Sequence, residues 1–147
     1  MSLYQMSRNL YVSADTRRFS AEQKVNAFLS NNIRTVVNMT VKCTDPELAN
    51  MKHVDYIELR IRDNFTELPS DDERRLLEAA NDLYNRSKRH GVLIHCYGGE
   101  NRSCLLAGLV MAKGGAVGPD IVAHILKVRP TALYNKTFRA YLEAHHA

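Results

Sequence analysis

Two hydrophobic periods take turns along this chain. The run NLYVS (9–13) is short and apolar at its centre, as in a strand. Ser20-Ala-Glu-Gln23 has the form of a capping box. Val25, Phe28 and Leu29 follow at helical spacing and predict an inward stripe on the helix it opens. IRTVVNM (33–39) is rich in β-branched residues and reads as a strand. In VDYIELRI (54–61) the period is two: Ile57, Leu59 and Ile61 share one face, and Tyr56, Glu58 and Arg60 the other.

After the loop RDNFTELP (62–69), Ser70-Asp-Asp-Glu73 predicts a second capping box. Leu76, Leu77, Ala80, Leu83 and Tyr84 continue at helical spacing, and Gly91 is expected to end that helix after His90. VLI (92–94) is wholly apolar, as in a strand covered on both faces. SCLLAGLVMA (103–112) is apolar nearly all round and predicts a central buried helix stopped by Gly114-Gly115. Pro119 opens a helix over 119–128. A last one covers about 135–144, with Phe138, Tyr141 and Leu142 inward. Strands alternate with helices early, and helices dominate late. The expected fold is α/β: a mostly parallel central sheet flanked by helices, with a helical C-terminal half.

Length changes this picture little. The 147 residues suit a single domain spanning 1–147. A chain of this size buries roughly 70% of the surface its unfolded form exposes, so a core needs neither disulfides nor metal. Three cysteines without CxxC pairs make no disulfide framework. MSLYQMSRNL lacks an apolar leader, and no window approaches the run of about 18 apolar residues that a membrane span needs. A cytoplasmic, reducing compartment with no membrane association is therefore expected. The formal charge is +4, but basic residues come as scattered pairs, Arg17-Arg18, Arg74-Arg75, Arg60 and Arg62. A nucleic-acid binder shows a denser stripe, which argues against such a partner.

The candidate chemistry sits in HCYGGENRS, His95 to Ser103. The bare spacing Cys-x5-Arg means little: three cysteines and 13 arginines in this length give roughly 0.27 chance occurrences. Its setting adds weight. The stretch joins an apolar strand to an apolar helix, where an open α/β sheet presents ligands beyond its strands' carboxyl ends. Gly98 and Gly99 let successive backbone N–H groups curl inward, and the nest is capped by a helix N-terminus suited to a tetrahedral dianion. Arg102, in the first turn, can add a bidentate fork. The same field favours Cys96 as thiolate, and Ser103 can donate to its sulfur. A buried structural thiol is the bland alternative, but it leaves the adjacent Gly-Gly and the arginine unexplained.

HCYGGENRS resembles the HCxxGxxRS signature of the cysteine-dependent protein tyrosine phosphatase superfamily, and the chain is most similar to its small dual-specificity phosphatases. The likeness covers about residues 9–143: NLYVSA and IRTVVNMT resemble that group's first two strands, and VRPTALYN (128–135) its Arg-Pro turn and following asparagine. The loop departs from the common pattern at Gly98, which replaces an alanine, and at Asn101, which replaces a serine. The resemblance implies a protein phosphatase acting on phosphotyrosine and phosphoserine/threonine through a phosphocysteine. Cys96 is then the nucleophile; Tyr97, Gly98, Gly99, Glu100, Asn101 and Arg102 form the phosphate loop; Ser103 eases departure of the thiolate; His95 braces the loop through hydrogen bonds.

The family takes its general acid from a separate loop after a strand. Asp63 matches that place; Glu67, Asp71 and Asp72 are rivals, the last two fitting better as first-turn helix charges. No metal or cofactor is implied, and the expected partner is a phosphorylated protein met by a monomer. RNA 5′-triphosphatase and phosphoinositide phosphatase activities occur on related chains. Glu100 at the mouth argues against such polyanions. A catalytically silent phosphoresidue-binding module and a thiol oxidoreductase such as an arsenate reductase remain as other classes. Arg60 and Arg62 flank the acid loop and are read as a solvated face. Cys43 and Cys104 are read as structural thiols, with a protective disulfide from Cys43 to Cys96 as the sharper alternative.

Overall fold

The computed structural model describes residues 1–41 and 44–145. Five strands form one sheet: β1 (Tyr4–Ser7), β2 (Leu10–Ser13), β3 (Ile33–Asn38), β4 (Asp55–Glu58) and β5 (Gly91–His95), in the order β1-β2-β5-β3-β4. β5 lies at the centre, parallel to β2 and β3, and β4 runs parallel to β3. Only β1 is antiparallel, paired with β2. The sheet is thus mostly parallel, as its apolar strands foretold. NLYVS is the second strand, not the first. β1 escapes sequence reading because YQMS has no β-branched residue and buries only Met6.

Alternation along the strands divides the core. Leu10 and Val12 of β2, Val37 of β3, and Val92 and Ile94 of β5 point into the larger cluster. Tyr11, Val36 and Leu93, their chain neighbours, point into the smaller one. The smaller face is covered by α1 (Ala21–Ser30) and the short α2 (Pro46–Ala49), which contribute Phe28 and Leu48. The larger face is covered by α3 (Ser70–Ser87), α4 (Arg102–Lys113), α5 (Gly118–Val128) and α6 (Lys136–Glu143). α4 is the central helix, buried along nearly its whole length. Each fully buried aliphatic side chain contributes about 1.5–3 kcal/mol.

Three local expectations are corrected. α1 keeps its capping box, Ser20 Oγ accepting from the Gln23 N–H and Gln23 Oε1 from the Ser20 N–H. Its inward face differs, however: Val25 and Leu29 are exposed, while Lys24 is fully buried beside Phe28. Lys24 can be buried because its ammonium donates to Asp45 at 2.9 Å and Glu47 at 2.8 Å. The second capping box does not form. Pro69 is the N-cap of α3, and the Glu73 carboxylate accepts from Tyr141 Oη instead. Finally, α3 ends at Ser87, and Gly91 opens β5 rather than closing the helix. A Cβ there would lie 2.7 Å from the Asn31 carbonyl oxygen, so β5 can begin against that turn only with glycine.

Candidate active site

β5 ends at His95, and the chain turns through residues 96–101 before entering α4. This loop sits at the carboxyl edge of three parallel strands, the edge at which an open α/β sheet presents ligands. Backbone contacts hold its shape. The Asp15 N–H donates to the Tyr97 carbonyl at 3.1 Å, and the Leu133 N–H to the Glu100 carbonyl at 2.9 Å. Gly99 has φ +72, and a Cβ on it would lie 2.5 Å from Ser13 backbone atoms. Both facts require glycine. The turn at Gly99 aims its N–H at Cys96 Sγ, 3.2 Å away. The Ser103 hydroxyl lies 3.3 Å from the same sulfur.

Two sets of donors lie beside this sulfur, one without a side-chain cap and one without a partner among the described residues. Asn101 is the N-cap of α4 but makes no side-chain cap bond, which leaves the helix's first N–H groups available. Arg102 is 9% exposed, and its Nη1 is pinned by the carbonyls of Met39 (3.2 Å) and Ile61 (3.1 Å). Its Nε is buried with no hydrogen-bond partner among the described residues. A native fold seldom strands such donors unless something is bound there in use.

Asp63 lies opposite. The extended segment after β4 buries Leu59 and Ile61 in the core, which carries Asp63 to the cleft. Its Oδ2 accepts from Asn101 Nδ2 at 3.0 Å and its Oδ1 from Asn135 Nδ2 at 2.7 Å. Asn135 is fully buried. Its N–H also donates to Asn101 Oδ1, and its own Oδ1 caps α6 through the Phe138 N–H. Asn135 therefore ties the acid loop, the cysteine loop and α6 together. Sequence reading noted this asparagine as part of a likeness but gave it no role. The rival acids are elsewhere: Glu67 is exposed and does not line the cleft, and Asp71 and Asp72 pair with Arg74 and Arg75 on α3.

Cys96, Tyr97, Gly98, Glu100, Asn101, Arg102 and Asp63 line one cleft of about 520 Å³, together with Arg18, Arg129 and Tyr134. Arg129 entered the sequence reading only as part of the Arg-Pro turn of a likeness, with no role. Its Nη1 donates to the Gly99 carbonyl at 2.8 Å, its Nη2 lies 4.0 Å from Glu100, and its guanidinium stacks 4.3 Å above the Tyr4 ring. Arg60 is turned away, bonded to Glu58 and the Val41 carbonyl, in line with a solvated face.

His95 is buried beneath the loop, and neither ring nitrogen meets a hydrogen-bond partner among the described residues. The expected bracing through ring hydrogen bonds is replaced by packing. Burial pushes its pKa down to about 4, with Asp15 and the Cys96 backbone pulling the other way. The ring is thus neutral at physiological pH. Cys104 is fully buried on α4. Burial, with Cys96 nearby, pushes its thiol up to about 12, as fits a structural thiol. Cys43, and with it the suggested disulfide, lies outside the described residues. Among the described residues, no helix is long and apolar enough to cross a membrane.

A family model described as the dual specificity phosphatase catalytic domain matches residues 17–147, and the chain belongs to this family of protein phosphatases. Solved structures share the fold. A mouse putative dual specificity phosphatase complexed with zinc tungstate is 18% identical, with 96% of this chain and 84% of that one covered and a TM-score of 0.75. TpbA of P. aeruginosa is 23% identical over 97% of this chain and 84% of its own, at a TM-score of 0.73. Tk-PTP in its active form is 21% identical over 97% and 96%, at a TM-score of 0.71. Comparison with curated protein sequences finds no match.

Proposed function

We propose that this protein hydrolyses phosphotyrosine and phosphoserine/threonine monoesters on proteins through a phosphocysteine intermediate. The observation that carries this reading is the unmet donor set beside Cys96: the uncapped N-terminus of α4 and the buried, partnerless Nε of Arg102. A tetrahedral phosphate dianion supplies acceptors for both. Tungstate in the mouse relative has that shape and charge.

In the first step the Cys96 thiolate attacks phosphorus in line, forming an S–P bond as the P–O bond to the substrate breaks. The loop N–H groups and Arg102 hold the equatorial oxygens and stabilise their charge in the transition state. Asp63 gives its proton to the departing oxygen. In the second step water attacks phosphorus and Asp63, now a base, takes its proton. The S–P bond breaks, and the Ser103 hydroxyl and Gly99 N–H stabilise the thiolate that leaves. Asn101 and Asn135 keep the Asp63 carboxylate facing the cleft throughout.

The test is hydrolysis of p-nitrophenyl phosphate with EDTA present, comparing wild type with Cys96→Ser. Turnover that survives chelation and is lost in the variant is expected, with tungstate still binding to the variant. Folded wild type that fails to turn over under fresh reductant, or a Cys96→Ser variant that keeps wild-type turnover, overturns the reading. The first of these results favours a silent phosphoresidue-binding module using the same cradle.

A further inference from the structure

The charges lining the cleft do not cancel. Arg18, Arg102 and Arg129 face Asp63 and Glu100 there. Four of these five groups are engaged. Asp63 accepts from two asparagine amides. Arg102 is pinned by two carbonyls and, on the reading above, turned to the phosphate. Arg129 donates to the Gly99 carbonyl and lies near Glu100. Arg18 is the cation left over. It is exposed at the end of the short 3-10 helix Thr16–Arg18, and no carboxylate among the described residues pairs with it. The adjacent Arg17 is turned back onto Asp15 at 2.9 Å, so chain proximity alone does not decide this.

Arg18 is nevertheless not adrift. Its guanidinium lies over the Tyr97 ring, 4.7 Å from the centroid. Tyr97 is 62% exposed, directly follows the nucleophile, and is fixed through its carbonyl to the Asp15 N–H. Stacking on a ring restrains a guanidinium without consuming its N–H donors, which project from the edge of its plane. The result is a preorganised, unpaired donor fork at the mouth of the cleft. Its platform is the residue next to the reacting cysteine, and Arg18 and Cys96 line the same cleft, so the fork lies within reach of residues flanking a bound phosphoresidue. Arg60 and Arg62, the basic residues flanking the acid loop, do not line the cleft.

We propose that Arg18, held over Tyr97, forms a second anion subsite that selects phosphopeptides carrying an acidic group beside the phosphoresidue. The proposal rests on the reading that places phosphate at Cys96, and it adds which substrates are preferred. The anion is a side-chain carboxylate or a second phosphate; both present oxygens that match the guanidinium fork.

The experiment measures binding to Cys96→Ser by titration calorimetry, so that it needs no turnover. Three matched peptides serve as probes: a phosphotyrosine flanked by alanines, the same with glutamates on both sides, and the same with a neighbouring phosphoserine. The glutamate peptide is expected to bind about 3- to 5-fold more tightly than the alanine peptide, as for one solvent-exposed ion pair. That preference shrinks as NaCl is raised. In Cys96→Ser/Arg18→Ala the ratio falls toward unity, in the Arg18→Lys counterpart it is partly kept, and in Arg18→Glu it reverses. A preference confined to the phosphoserine peptide, and lost in Arg18→Ala, identifies the anion as a second phosphate. Equal binding of all three peptides, or a preference untouched by Arg18→Ala, overturns the proposal. Tight selective binding with no wild-type turnover strikes the phosphatase reading and leaves this one standing.

Discussion

Acidifying the protein from about pH 7 to about pH 4.5 tests the buried histidine beneath the nucleophile. His95 is 1% exposed and its ring nitrogens have no hydrogen-bond partner among the described residues, so the loss of water outweighs the pull of nearby Asp15 on a charged ring. Its pKa is pushed from 6.5 down to about 4 by burial. Between those values the unfolded chain binds a proton at this position that the folded chain refuses. Stability therefore rises with pH across this window and is lost as the pH falls through it. At about 1.4 kcal/mol per pH unit, the loss down to pH 4.5 is roughly 2–3 kcal/mol, a large share of a typical domain's stability. The assay is urea unfolding of wild type and His95→Asn at a series of pH values. Carboxylates and the other histidines titrate alike in both, so the difference between the two curves isolates His95. Wild type should lose roughly 2–3 kcal/mol more than the variant. Parallel curves, or an NMR titration of His95 with a midpoint near 6.5, would refute the reasoning.

The remaining predictions concern the loop, its supports and the acid. Gly99→Ala forces a Cβ to within 2.5 Å of Ser13 at a φ of +72, and should cost about 2 kcal/mol or more in thermal unfolding. It should also lower kcat about tenfold or more by displacing the N–H on Cys96 Sγ. Gly98→Ala meets only the movable Glu100 carboxylate, at 3.2 Å, and should be far milder in both measurements. Lys24→Met removes the cation that pairs with the buried Asp45, leaving its charge to the neutral donors Thr16 Oγ1 and the Glu47 N–H, and should cost about 3 kcal/mol in urea unfolding. Asp63→Ala should lower kcat about 100-fold on phosphoserine peptides and much less on p-nitrophenyl phosphate, whose leaving group needs no proton. Asn135→Ala should show the same leaving-group pattern at about a tenth of that size, with KM little changed.

The nucleophile loop was legible because its parts are consecutive. Nine residues from His95 to Ser103 hold the thiol, the glycines, the arginine and the helix start, and local backbone chemistry dictates how they curl. The strands were legible where β-branched residues cluster, and β1, which lacks them, was not. α1 was placed correctly by its cap but rotated wrongly. Its stripe suggested Val25 and Leu29 as core, yet the buried face includes Lys24, because Asp45 and Glu47 arrive from 21 and 23 positions along the chain. The predicted cap at Ser70 lost to Pro69 one residue earlier, and Glu73 was drawn to Tyr141 on α6.

The sequence alone determined the α/β alternation, the sheet's buried centre and the identity of the loop that ends at α4, since each follows from period, turn chemistry and spacing between near neighbours. Tertiary structure decided everything that depends on distant segments meeting. It brought Asn135 onto Asp63 from 72 positions away, Arg129 onto Gly99 from 30, and Arg18 onto Tyr97. Such partners leave no periodic trace. A polar side chain reads as solvated surface until packing removes the water and supplies, or withholds, the group that replaces it.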